Sequence, residues 1–171
     1  KNWYYVGGPN AWLDPASYST TTSPSGNTEM PGADDRISIR KGQKLTVDDS
    51  TVSFFSTVKA IYPNCEDTEI VFNLENDVTI TAAIGDIGGH AYTNNWLRKS
   101  GKGKLTLGST GNDNDSGVYG NTSYAYHLNI DVQGGSIQLQ GKIPGNATTY
   151  YVMRYLNVAA GTAAYLHGGV S

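Results

Sequence analysis

The chain has 171 residues, 38% hydrophobic and 16% charged with 21 glycines, a composition that can bury one sizeable core and is too apolar for a disordered tail. A net charge of −3 without any basic block argues against nucleic acid as a partner. Cys65 stands alone, so neither an intramolecular disulfide nor a cysteine-built metal site can form, and no apolar run approaches the roughly 20 residues of a membrane-spanning helix.

The opening segment, residues 1–36, reads as an irregular entry and cap. It mixes aromatics (Trp3, Tyr4, Tyr5, Trp12, Tyr18) with breakers (Gly7, Gly8, Pro9, Pro15, Pro24, Gly26, Pro31, Gly32). Tyr4–Val6 can supply a short strand, Trp12 and Tyr18 can cover the apolar end of the units beyond residue 36, and the polar tract Ser17–Thr28 reads as a surface loop. The opening Lys1-Asn2-Trp3 lacks a signal-type apolar core, so an exported form would have lost its signal.

From Ile37 to Ser171 the chain is built of strand-turn-strand units with period-2 alternation. The first runs Ile37, Ile39, a turn at Lys41-Gly42, then Leu45 and Val47. The second is Ile70, Phe72, Leu74, a turn at Glu75-Asn76-Asp77, then Val78 and Ile80. The third goes from Trp96 and Leu97 through Gly101-Lys102-Gly103 to Leu105 and Leu107. The fourth is Leu128 to Val132, Gln133-Gly134-Gly135, then Ser136 to Leu139, and the fifth is Leu156, Val158, a turn at Gly161, then Ala164 and Leu166. The turns recur at roughly 30 residues, the repeat length of stacked architectures, in which one unit cannot bury its apolar row alone. The pieces between units, Thr51–Thr68, Gly85–Asn95, Thr110–Tyr126 and Lys142–Tyr155, read as side loops, and Val52, Phe54, Val58 and Ile61 put strand in the first. No segment carries a strong helical period. The last unit ends without a cap, which predicts a longer natural protein or an end covered by another chain.

Chemical candidates are sparse. Asp34-Asp35 follows a Pro-Gly turn, where adjacent acids face opposite ways and are solvated. Asn112-Asp113-Asn114-Asp115-Ser116-Gly117 has the oxygen-rich look of a calcium loop, but Ser123 stands where such a loop places its bidentate acid. His90, His127 and His167 have no second histidine or acid at ligand spacing, so no catalytic residue, cofactor or metal site is assigned. Tyr119, Tyr124, Tyr126, Tyr150 and Tyr151, with Tyr155, cluster in or beside two insertions and are the candidate ligand-contact aromatics, since exposed rings stack on sugars.

The third unit carries specific wording. Leu97-Arg98-Lys99-Ser100-Gly101-Lys102-Gly103-Lys104-Leu105-Thr106-Leu107 resembles the L-x-K-x-G-x-G-x-L-x-L signature of autotransporter-associated β-strand repeats of exported bacterial proteins. Gly111–Gly120 and Val132–Leu139 are similar to the loop and second unit that come after it there. Trp12, Asp14, Tyr18 and Pro31-Gly32-Ala33-Asp34-Asp35 resemble the entry segment, with Tyr18 where tryptophan is usual. The resemblance implies an all-β, right-handed parallel β-helix (β-solenoid), extracellular or at the bacterial cell surface. It implies no reaction.

The sequence thus predicts a non-enzymatic scaffold or adhesin domain with a glycan or cell-surface ligand, self-association through the solenoid ends, no nucleic acid and no membrane span. Two alternatives have distinct signatures. A polysaccharide-acting β-helix enzyme would gather Asp48, Asp49, Asp77, Asp86 and Asp131 in one cleft, and a β-sandwich carbohydrate-binding module would pair its strands antiparallel.

Overall fold

A computed structural model describes residues 1–63, 67–84, 94–107, 128–141 and 156–168. Among the described residues fourteen strands succeed one another: β1 (Asn2–Tyr5), β2 (Tyr18–Ser19), β3 (Arg36–Ile39), β4 (Lys44–Asp48), β5 (Ala60–Pro63), β6 (Glu69–Asn73), β7 (Val78–Ile80), β8 (Ala83–Ile84), β9 (Asn95–Ser100), β10 (Lys104–Leu107), β11 (Leu128–Val132), β12 (Ser136–Gly141), β13 (Leu156–Val158) and β14 (Ala163–Gly168). Short 3-10 helices at Pro15–Ser17 and Val52–Ser56 are the only helical elements among the described residues.

The strands form three sheets, ordered β2-β1-β3-β5-β8, β13-β11-β9-β6-β4 and β14-β12-β10-β7. Each unit read from the sequence places its two strands in different sheets. In the third unit β9 lies in the second sheet and β10 in the third, so its glycine turn is a corner and not a hairpin. Pairing is parallel throughout except for β1 with β2, where Tyr4 faces Ser19 and Tyr5 faces Tyr18.

This corrects the expectation of a right-handed parallel β-helix preceded by an irregular cap and interrupted by side loops. The described strands divide among three sheets, the first of them mixed, and form neither a closed barrel nor one β-helix. The cap is not irregular, because β1 joins β3 in parallel and takes β2 on its other edge. Nor is the first insertion a side loop: Val52, Phe54, Phe55 and Val58 are buried, and β5 lies inside the first sheet. The physical reason is that a period of two marks one buried face of a strand but not the strand it bonds to. The predominance of parallel pairs is equally unlike the antiparallel β-sandwich alternative.

The core is a set of inward rows. In the second sheet Leu45, Ile70, Leu97 and Ile130 lie in register, as do Val47, Phe72, Lys99 and Val132. In the third, Val78 is succeeded by Leu105, Ile137 and Ala164, and in the first, Trp3 by Ile37, Ile61 and Ile84. Residues at these positions that belong to the core are almost all fully buried.

Aromatic rings close the N-terminal side of this core. Tyr5 stacks on Trp12 at 4.3 Å, Trp12 meets the edge of Phe55 at 4.8 Å, and Phe55 meets Phe72 at 5.6 Å. The polar tips of these rings are partnered: the Tyr5 hydroxyl donates to Gly8 O (2.6 Å), Tyr18 to Trp12 O (2.6 Å) and the Trp12 indole to Thr46 O (2.9 Å). Burial pushes the Tyr5 phenol up to about 12, which keeps it a donor. Thr46 lies on β4, the outer strand of the second sheet, and its N–H donates to Pro9 O at 2.9 Å. The cap therefore takes up both backbone groups of Thr46 on an otherwise open edge.

Candidate functional site

The proposed ligand-contact aromatics Tyr119, Tyr124, Tyr126, Tyr150 and Tyr151, together with Tyr155, lie outside the described residues. So do Cys65, His90, His127, Asp86 and the stretch 112–117. His167 lies on β14. Among the described residues no group of three His, Cys, Asp or Glu could hold a metal ion, and no helix is long and apolar enough to cross a membrane.

The described candidate aspartates are each engaged by neighbouring groups. Asp48 folds onto its own turn, accepting from the Ser50 N–H (2.9 Å), Ser50 hydroxyl (2.5 Å) and Thr51 N–H (3.2 Å). The Ser50 hydroxyl leads the hydrogen bonds that hold its carboxyl below the usual range. Asp49 reaches the next unit, accepting the N–H groups of Glu75 (2.9 Å) and Asn76 (3.1 Å), and the Glu75 bond contributes most to its lowered pKa. Asp77 likewise accepts the Lys104 N–H at 2.8 Å. Asp131 binds Arg98, which also donates to Glu69 at 3.0 Å and lies 4.6 Å over the Trp96 ring.

Asp34 is exposed, in line with the sequence reading, whereas Asp35 is not solvated: its side chain is only 15% exposed. It accepts from the α-amino group of Lys1, the Trp3 indole (2.9 Å) and the Gly32 N–H (2.9 Å). Burial opposes its ionisation, but these donors outweigh it and bring the carboxyl down to about 2.

Lys99 belongs to the repeat motif, where nothing in the sequence reading gives it a role of its own. It faces the core between Phe72 and Val132 and is fully buried. Its stem takes the place of an apolar residue, and its ammonium turns to the glycine corners, donating to Ser100 O (2.6 Å), Gly101 O (2.9 Å) and Gly134 O (3.4 Å). Burial lowers its pKa, against the pull of the Glu75, Asp49 and Asp77 carboxylates. The signal that could have found it is a lysine at an inward position of an alternating strand, two residues before a turn glycine.

Lys99→Met keeps most of the stem but removes the donor from three carbonyls, and is expected to cost about 1–3 kcal/mol. Lys99→Ala should cost about 2 kcal/mol more through the cavity it leaves. Urea melts of the two variants check this; a Lys99→Met protein as stable as the parent would mean that desolvating the ammonium cancels its hydrogen bonds.

A second feature, absent from the sequence reading, is a cavity of about 340 Å³ beside the first sheet, lined by Lys1, Asn2, Asp34, Arg36 and Lys59. Asn2 and Arg36 are direct cross-strand partners, and the Lys59 N–H donates to Asp35 O at 2.9 Å, which holds Lys59 beside them.

Compared with known proteins, the chain matches no family model, no curated protein and no solved structure.

Proposed function

We propose that the chain is a non-enzymatic scaffold or adhesin domain of an exported bacterial surface protein. One observation carries the reading: Asp48, Asp49, Asp77 and Asp131 are spent on the architecture. Asp49 and Asp77 hold the backbone of the next unit, and Asp131 holds Arg98, so their oxygens are engaged by the fold itself. A polysaccharide-cleaving enzyme would need carboxylates free to converge on its substrate. The motif from Leu97 to Leu107, with its resemblance to exported repeats, supports the surface location. End-to-end self-association belongs to the same proposal, because Leu156 and Val158 on the edge strand β13 continue the apolar rows at 38% and 45% exposure.

The test is a panel of soluble polysaccharides incubated with the chain, in which both retention on the polysaccharide and release of reducing ends or unsaturated uronides are followed. Retention without release is the expected result. Release above the protein-free blank that disappears in an Asp→Asn variant overturns the non-enzymatic reading.

A further inference from the structure

We propose that two copies of the chain join edge to edge through β13, in a two-fold dimer that closes on itself and does not grow into a fibre. This rests on the end-to-end association proposed above and names the partner and its arrangement. The second and third sheets differ between their two outer edges. On one side the outer strand β4 has both backbone groups of Thr46 taken, the N–H by Pro9 O (2.9 Å) and the carbonyl by the Trp12 indole (2.9 Å). On that same side the turn Val52–Ser56 lies against the outer strand β7, where the Ser56 hydroxyl donates to Thr79 O at 3.4 Å. On the other side β13 and β14 each have one strand neighbour among the described residues, β11 and β12.

An open edge is ordinarily guarded by lysine, other charged side chains or proline. The covered strand β4 still carries Lys44 and Asp48, whereas no Asp, Glu, Lys, Arg or Pro stands between Leu156 and Gly168. Two such surfaces can therefore approach without like charges facing each other. A head-to-tail stack would have to seat β13 on β4, which the cap closes, so a second copy finds its match in the same uncharged edge.

The pattern of β13 suits pairing with itself. The Ala159 N–H donates to Val132 O at 2.9 Å, and bonding alternates along a strand, so Asn157 bonds to β11 while Leu156 and Val158 turn their N–H and C=O groups to the open edge. Leu-Asn-Val reads apolar, polar, apolar in both directions. A two-fold axis through Asn157 sets Leu156 opposite Val158 of the second copy, and each such pair exchanges both of its N–H···O bonds. Their side chains then share the core-facing side of the joined sheet, which covers the exposed Leu156 and Val158. One short strand from each copy makes a small seam, which places the dimer in the weak, reversible class.

Sedimentation equilibrium of the full chain over a concentration series tests the proposal. The mass should rise reversibly and stop at twice that of the chain. Val158→Lys, which brings an ammonium into the apolar seam, should abolish the dimer. Asn157→Lys and Asn157→Asp, each setting like charges across the axis, should each weaken it about fivefold, and mixing the two variants should restore it. Asn157 is exposed and its side chain faces away from the core, so this pair decides the matter if Val158→Lys does not fold. A mass that climbs past the dimer overturns the two-fold arrangement and leaves end-to-end association standing. A monomer at every concentration overturns both, while retention on a polysaccharide would still support the adhesin role. A dimer indifferent to the Asn157 and Val158 variants overturns the β13 seam.

Discussion

Gly101→Ala is expected to be among the most destabilising single substitutions, at about 3 kcal/mol or more. Gly101 has φ +73°, where an L side chain costs about 1–2 kcal/mol. A Cβ there would also lie 2.3 Å from Leu74 O and 2.7 Å from Leu74 C, inside any tolerable contact. The clash cannot be relieved by a rotamer, because both atoms are backbone and Leu74 O already accepts the Gly103 N–H at 2.9 Å. Overpacking of this kind adds about 1–3 kcal/mol. Gly161→Ala is the control: φ is +78° and no atom of the described residues lies within 4 Å of a Cβ placed there, so the backbone term of about 1–2 kcal/mol is what remains. Urea melts of both variants separate the terms, and equal losses would mean that the neighbouring turn moves aside without cost.

Trp12→Ala should cost about 3–5 kcal/mol, the range for emptying a buried aromatic site. The ring is fully buried between Tyr5 and Phe55, and its loss also strips the donor from Thr46 O on the edge of the second sheet. Trp12→Phe keeps much of the packing and should lose about 1–2 kcal/mol for the hydrogen bond and the smaller ring. Thermal unfolding ranks the pair, and amide exchange at Thr46, whose N–H is held by Pro9 O, should quicken more in the alanine variant. If the two variants prove equally stable, the aromatic stack contributes nothing beyond the indole bond.

Much of the strand placement is legible from alternation. Ile37 and Ile39, Leu45 and Val47, Ile70 and Phe72, and Leu105 and Leu107 all sit on strands and all face inward. Turn glycines are legible too, since Gly42, Gly101, Gly135 and Gly161 adopt positive φ. The sheet partners are not, because hydrogen-bond pairing leaves no trace in the period of two. Val52, Phe54, Val58 and Ile61 read as strand, and Ile61 does lie on β5, while tertiary packing settles the buried Val52 and Phe54 in the 3-10 turn Val52–Ser56. Of the site, the cavity is invisible in the sequence: Asn2, Arg36 and Lys59 are far apart along the chain and meet only through the pairing of β1, β3 and β5. The acids are visible as residues, but nothing in their spacing says that their oxygens serve neighbouring backbone.

Those acids also limit how the molecule can be rearranged. Asp49 accepts from Glu75 and Asn76, and Asp77 from Lys104; in each case the oxygen belongs to the earlier strand pair and the N–H lies further along the chain. The units are therefore not interchangeable beads. The corners at Asp49 and Asp77 carry a socket shaped for the successor, and a unit transplanted there meets its new neighbour correctly only where that carboxylate stands one turn upstream. Order along the chain is written into the corners as well as into the peptide bond.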